Sequence, residues 1–79
     1  MFDSAKCRNA LLAGLKSSDQ MGSGRMSEVL INSVELRAYL NAHSKWVNHS
    51  TSGREVFKAS SGVTVTKTGN GSWMIARDF

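Results

Sequence analysis

Little in this sequence announces a chemistry, and the gaps are informative. There is one cysteine, Cys7, in 79 residues, so no intrachain disulfide can form and a disulfide-stapled secreted scaffold is excluded. A reducing, cytoplasmic setting is the expectation. The only histidines are His43 and His49, and neither they nor Cys7 fall at the paired spacings of a zinc site, so no metal or other cofactor is expected. Walker sequences, Ser-His-Asp sets and paired carboxylates are all missing. No apolar stretch approaches the roughly 20 residues that cross a bilayer, and Met1 to Lys6 lack the basic-then-apolar pattern of a secretion signal. Acidic residues are also in deficit, 6 against 10 Lys plus Arg, which leaves a formal charge of +4 and favours anionic partners.

What is present reads as one small folded domain spanning 1–79. Hydrophobic residues make up 41% and charged residues 20%, a globular balance. A chain of this length buries only about 60 to 65% of its unfolded surface, so a large enclosed substrate cavity is not expected. The predicted fold class is α+β: two N-terminal helices, then a three- to four-stranded antiparallel meander with a helix packed on one sheet face.

The first helix is predicted over 4–17, capped by Asp3 or Ser4 and stapled by Phe2, with Cys7, Leu11 and Leu15 four apart beside Leu12. Gly14 weakens it by roughly 1 kcal/mol relative to Ala. Residues 18–27, rich in Gly and Ser, read as a flexible linker. Gly22-Ser23-Gly24 within it lacks the Lys-Ser/Thr of a phosphate loop. Asn32 followed by Glu35 resembles a capping box and opens a second helix through about Ser44, with Val34, Leu36, Tyr39 and Leu40 apolar. The four residues before it, Glu28 to Ile31, fit a short strand or an extra helical turn, with helix slightly preferred.

Period-two alternation marks strands at 54–59, 63–68 and 72–77, separated by Ser60-Ser61-Gly62 and Gly69-Asn70-Gly71. Trp46 to Ser50 adds a candidate fourth strand through Thr51-Ser52-Gly53. With the last hairpin turning on Gly69-Asn70 or on Asn70-Gly71, the pairing parity is the same. One face then collects Val47, Phe57, Ala59, Val63, Val65, Met74 and Ala76, with Glu55 opposite Lys67, and forms the core. The other collects Trp46, Arg54, Val56, Lys58, Thr64, Thr66, Thr68, Trp73, Ile75 and Arg77. Should the first helix fold over that second face, the tryptophans become core and the cations line its rim.

The function expected from this arrangement is that of a small non-enzymatic binding protein. The candidate residues are Trp46, Arg54, Lys58, Trp73 and Arg77, cations beside indoles that could stack on bases, and the expected partner is nucleic acid or a nucleoprotein complex. Trp and Arg are equally at home in protein interfaces, so an inhibitor or adaptor that binds a host protein is the alternative. A third reading is a small RNA-cleaving toxin using His49 beside Glu55 as an acid–base pair. Catalysis by Cys7 is disfavoured by its place on an apolar stripe. The stretch Val29-Leu30-Ile31-Asn32-Ser33-Val34-Glu35-Leu36 resembles those of many small phage and prophage proteins, which suggests a phage or mobile-element origin.

Overall fold

The computed structural model describes residues 2–22 and 24–78. Helix α1 (Ser4–Met21) starts where Asp3 caps it, the carboxylate accepting from Lys6 N–H at 3.1 Å. It ends at Gly22, whose φ of +115° suits a residue without Cβ. Its buried stripe is Cys7, Leu11, Gly14 and Ser18, a 3-4 spacing that continues a full turn beyond the predicted end at residue 17. The extension follows from Ser18, which is buried and donates its hydroxyl to Arg25 O, fastening the helix end to the chain that follows. Of the expected 18–27 linker, only residues between Gly22 and Met26 connect elements, and Ser23 lies outside the described residues.

Strand β1 (Ser27–Val29) occupies the stretch for which a helical turn was slightly preferred. The backbone there completes the sheet edge by pairing antiparallel with the last strand, a long-range partner that local pattern does not reveal. Helix α2 (Ser33–Ala42) opens on Asn32, whose side chain accepts from Val34 and Glu35 N–H, each at 3.0 Å. Only half of the capping box forms. Glu35 turns instead toward α1, accepting from Asp3 N–H at 2.9 Å and lying 3.7 Å from Lys6. The two helix starts are thereby bound to each other.

Strands β2 (Trp46–Asn48), β3 (Val56–Ala59), β4 (Val63–Lys67) and β5 (Trp73–Arg77) form the meander, and β1 joins it beside β5. The sheet is five-stranded and antiparallel, in the order β1-β5-β4-β3-β2, one strand more than the sequence pattern indicated. Both helices lie on the same face, α1 over β1 and β5 and α2 toward β2. Cys7 and Leu11 of α1, and Leu36, Tyr39 and Leu40 of α2, bury against Val29, Phe57, Val63, Val65, Trp73 and Ile75.

Two hairpin loops set which side chains share that core, and each differs by one residue from the expected loop. Between β4 and β5 the loop is three residues, Gly69-Asn70-Gly71, closed by Thr68 N–H on Ser72 O at 2.8 Å, with Gly71 at φ +89°. Val65 therefore faces Ile75, and Lys67 faces Trp73. Between β2 and β3 the tight end is two residues, Ser52-Gly53, inside a Thr51–Arg54 bridge, so Trp46 lies opposite Ala59 and Asn48 opposite Phe57. A one-residue change in a loop exchanges the faces of the strand beyond it. Trp46, Trp73, Ile75 and Arg77 thus join Phe57, Ala59, Val63 and Val65 under the helices, while Val47, Met74 and Ala76 move to the uncovered face.

Candidate binding surfaces

The exchange of faces divides the five residues expected to form one basic, aromatic surface. Trp73 is a core residue, 1% exposed, its indole N–H donating to Ser33 O at 3.0 Å and its ring centroid 5.9 Å from that of Phe57. Trp46 is half-buried on the same covered face. Arg77 is there too, its Nε donating to Asp19 Oδ1 at 2.9 Å and tying β5 to the last turn of α1. Arg54 and Lys58 are exposed at the open face, around a shallow depression shared with His49, Thr64, Thr66 and one carboxylate, Asp78. The open face carries no tryptophan, so base stacking on an exposed indole of the sheet has no support in this geometry.

The proposed acid–base pair is divided in the same way. His49 donates its backbone N–H to Val56 O and stands with the open-face residues, whereas Glu55 lies on the helix side. Arg37 grips Glu55 with Nε and Nη2 at 2.7 and 2.8 Å, and Lys67 adds a contact at 3.5 Å. This two-pronged hydrogen bond holds the Glu55 carboxyl below the usual carboxylate range and pushes the Arg37 guanidinium up. A carboxylate so engaged is a structural anchor between α2 and the sheet, as the cross-strand position of Glu55 and Lys67 foretold. Cys7 is fully buried, and burial, with Glu35 and Asp3 nearby, pushes its thiol up, away from the reactive thiolate.

The rest of the electrostatics follows the same economy. Every carboxylate side chain of the sequence has work inside the fold: Asp3 caps α1, Asp19 holds Arg77, Glu28 accepts from Ser72 Oγ, Glu35 joins the helix starts, Glu55 binds Arg37 and Lys67, and Asp78 accepts from Thr64. The cations divide differently. Lys6, Arg37, Lys67 and Arg77 are paired, whereas Arg8, Lys16, Arg25, Lys45, Arg54 and Lys58 are exposed with no carboxylate in salt-bridge range among the described residues. The surplus charge is therefore displayed, not neutralised. Two of these cations share one surface: Arg54, which closes the β2–β3 hairpin, and Lys58, opposite Val47, flank the open-face depression, while Lys45, which precedes β2, stands on the helix side.

A second feature lies on the helix side. Leu11, Leu12 and Leu15 of α1, with Trp46, Val63 and Ile75, line an open cleft of about 220 Å³ beside the Ser60-Ser61 turn. Arg8 and Lys45 stand at its margin, and no carboxylate of the described residues lines it. The Trp46 indole N–H is closed off from solvent and has no acceptor among the described residues. An unsatisfied buried donor costs about 1–3 kcal/mol, so the ring is held by packing and not by a hydrogen bond. Sequence reading assigned Arg8 no role. Its signal is the Arg8–Leu12 spacing of four, which continues α1's apolar stripe onto a flank wider than the sheet covers.

Comparison with family models, with curated proteins and with solved structures finds no match to this chain. Among the described residues no group of three or more His, Cys, Asp and Glu side chains is placed to hold a metal ion, and no helix is long and apolar enough to cross a membrane.

Proposed function

We propose that the protein is a small non-enzymatic binding module that docks an extended anionic partner, a nucleic acid or a nucleoprotein complex, at the β2–β3 side of its sheet. The observation that carries this reading is the distribution of charge: Asp19, Glu35 and Glu55 are engaged by cations, whereas Arg54 and Lys58 stand exposed on the open face with no carboxylate in salt-bridge range among the described residues, beside a single carboxylate, Asp78, that accepts from Thr64. Paired charges contribute little to long-range attraction, but unpaired exposed cations steer and hold phosphates. Contact through these side chains replaces the stacking on tryptophan that the sequence suggested. Recognition of this kind is electrostatic and weakly selective for base sequence.

Two phosphate contacts on a duplex, one each from Arg54 and Lys58, would make log K fall by about 2 per tenfold rise in salt. Titration of double- and single-stranded DNA and RNA at several salt concentrations reads that slope directly. Replacing Arg54 and Lys58 by Glu should flatten the slope and weaken binding. Absence of binding at low salt to any of these ligands overturns the reading. The second reading, a protein inhibitor or adaptor, draws on the apolar cleft and on Leu12, which is 58% exposed at its margin. A stoichiometric partner that survives nuclease treatment would favour it over nucleic acid.

A further inference from the structure

We propose that the cleft between α1 and the β3–β4 hairpin receives an aliphatic side chain from an acidic segment of a partner protein. The floor is aliphatic, built from Leu11, Leu15, Val63 and Ile75, with Trp46 and the buried Tyr39 as its aromatic lining. A base held by stacking prefers aromatic faces, and this lining suits a branched aliphatic group better. The cleft's volume, about 220 Å³, falls below the roughly 300–1,000 Å³ usual for drug-sized ligands but accommodates an anchoring side chain. Its charge is one-sided: Arg8 and Lys45 flank the opening, neither has a carboxylate partner among the described residues, and the remaining polar lining is the uncharged Tyr39, Ser60 and Ser61. Carboxylates on either side of the anchor complement that rim.

Trp46 adds a donor. Its indole N–H lacks an acceptor among the described residues, so a small turn of the ring toward the cleft lets a backbone carbonyl of the incoming segment accept from it. Leu12, at the margin, is exposed and available to the incoming segment. The inference is independent of nucleic-acid binding, because its residues, Lys45 included, lie on the helix side, away from Arg54 and Lys58.

The test uses the full chain labelled with ¹⁵N and two peptides that differ only in charge, acetyl-Glu-Glu-Leu-Leu-Glu-Glu-amide and acetyl-Lys-Lys-Leu-Leu-Lys-Lys-amide, with an oligothymidylate as a third ligand. The acidic peptide should shift the Trp46 indole N–H and the backbone amides of Ser60 and Ser61. The Trp73 indole N–H, already bonded to Ser33 O, serves as an internal reference that stays still. The lysine peptide should bind about tenfold more weakly, the size expected from two rim charge contacts. Arg8→Glu with Lys45→Glu, both at exposed positions, should reverse that preference. Equal binding of the two peptides, no shift at the cleft, or occupancy of the cleft by the oligothymidylate in place of the acidic peptide overturns the proposal.

Discussion

Gly14 offers a test of how closely α1 approaches the sheet. In an exposed helix, Gly→Ala gains about 1 kcal/mol from backbone propensity. Here a Cβ on Gly14 would stand 2.9 Å from Ile75 Cγ2, and 3.5 Å from both Glu28 O and Val29 Cγ2. Ile75 is 1% exposed and β-branched, so its Cγ2 cannot swing aside without leaving its rotamer or displacing the core. Overpacking of this kind costs about 1–3 kcal/mol. Against the propensity gain, Gly14→Ala is expected to lose about 1 kcal/mol, which for a domain of this size lowers Tm by roughly 4–8 °C. Ala13→Gly, at an exposed neighbouring position, should lose about 1 kcal/mol for propensity alone. Chemical denaturation followed by circular dichroism measures both variants. A Gly14→Ala protein more stable than the parent by about 1 kcal/mol would refute the close approach, and with it the docking of α1 on β1 and β5.

Other perturbations probe separate joints. Asn32→Ala removes the acceptor for two N–H groups at the start of α2 and should cost about 1 kcal/mol in denaturant unfolding. Trp73→Phe keeps an aromatic ring but leaves Ser33 O without its donor; a loss of about 1–3 kcal/mol and reduced near-ultraviolet dichroism are expected. Glu55 has a folded pKa below its unfolded one, so its contribution is present above the unfolded value, near 4.3, and is lost as pH falls through the folded value. Thermal melts across that window should show an acid limb that Glu55→Gln diminishes. Cys7 has a raised folded pKa, so its contribution is intact below the unfolded thiol value and declines as pH rises above it; alkylation should be slow in buffer and fast in denaturant.

The local elements were legible because their causes are local. Asp3 and Asn32 cap where their side-chain chemistry dictates, and the apolar spacing of Leu36, Tyr39 and Leu40 marks the buried side of α2. Phe57, Val63 and Val65 fall on the predicted core face because the Ser60-Ser61-Gly62 loop has the length that its residues indicate. The β1 strand was ambiguous since its partner, β5, lies more than forty residues away. The tryptophans were misplaced for a narrower reason. Gly-Asn-Gly closes as readily with three residues as with two, and Thr-Ser-Gly-Arg closes on its central pair, so each loop carried an undetermined parity. Burial is the physical arbiter: the observed registers place both large indoles beneath the helices and leave threonines and Lys58 to solvent. The basic character of the open side was readable from Arg54 and Lys58, whereas the pairing of Arg77 with Asp19 needs the distant end of α1.

The central claim is that binding is carried by unpaired cations at the β2–β3 side and not by exposed tryptophan. Amide chemical-shift mapping of the labelled protein during titration with an oligonucleotide tests it most directly. Shifts should cluster at Arg54 and Lys58, diminish as salt is raised, and leave the Trp73 indole N–H unmoved. No shifts at low salt, or a salt-insensitive set centred on Trp73 and the β1 edge, would contradict the account.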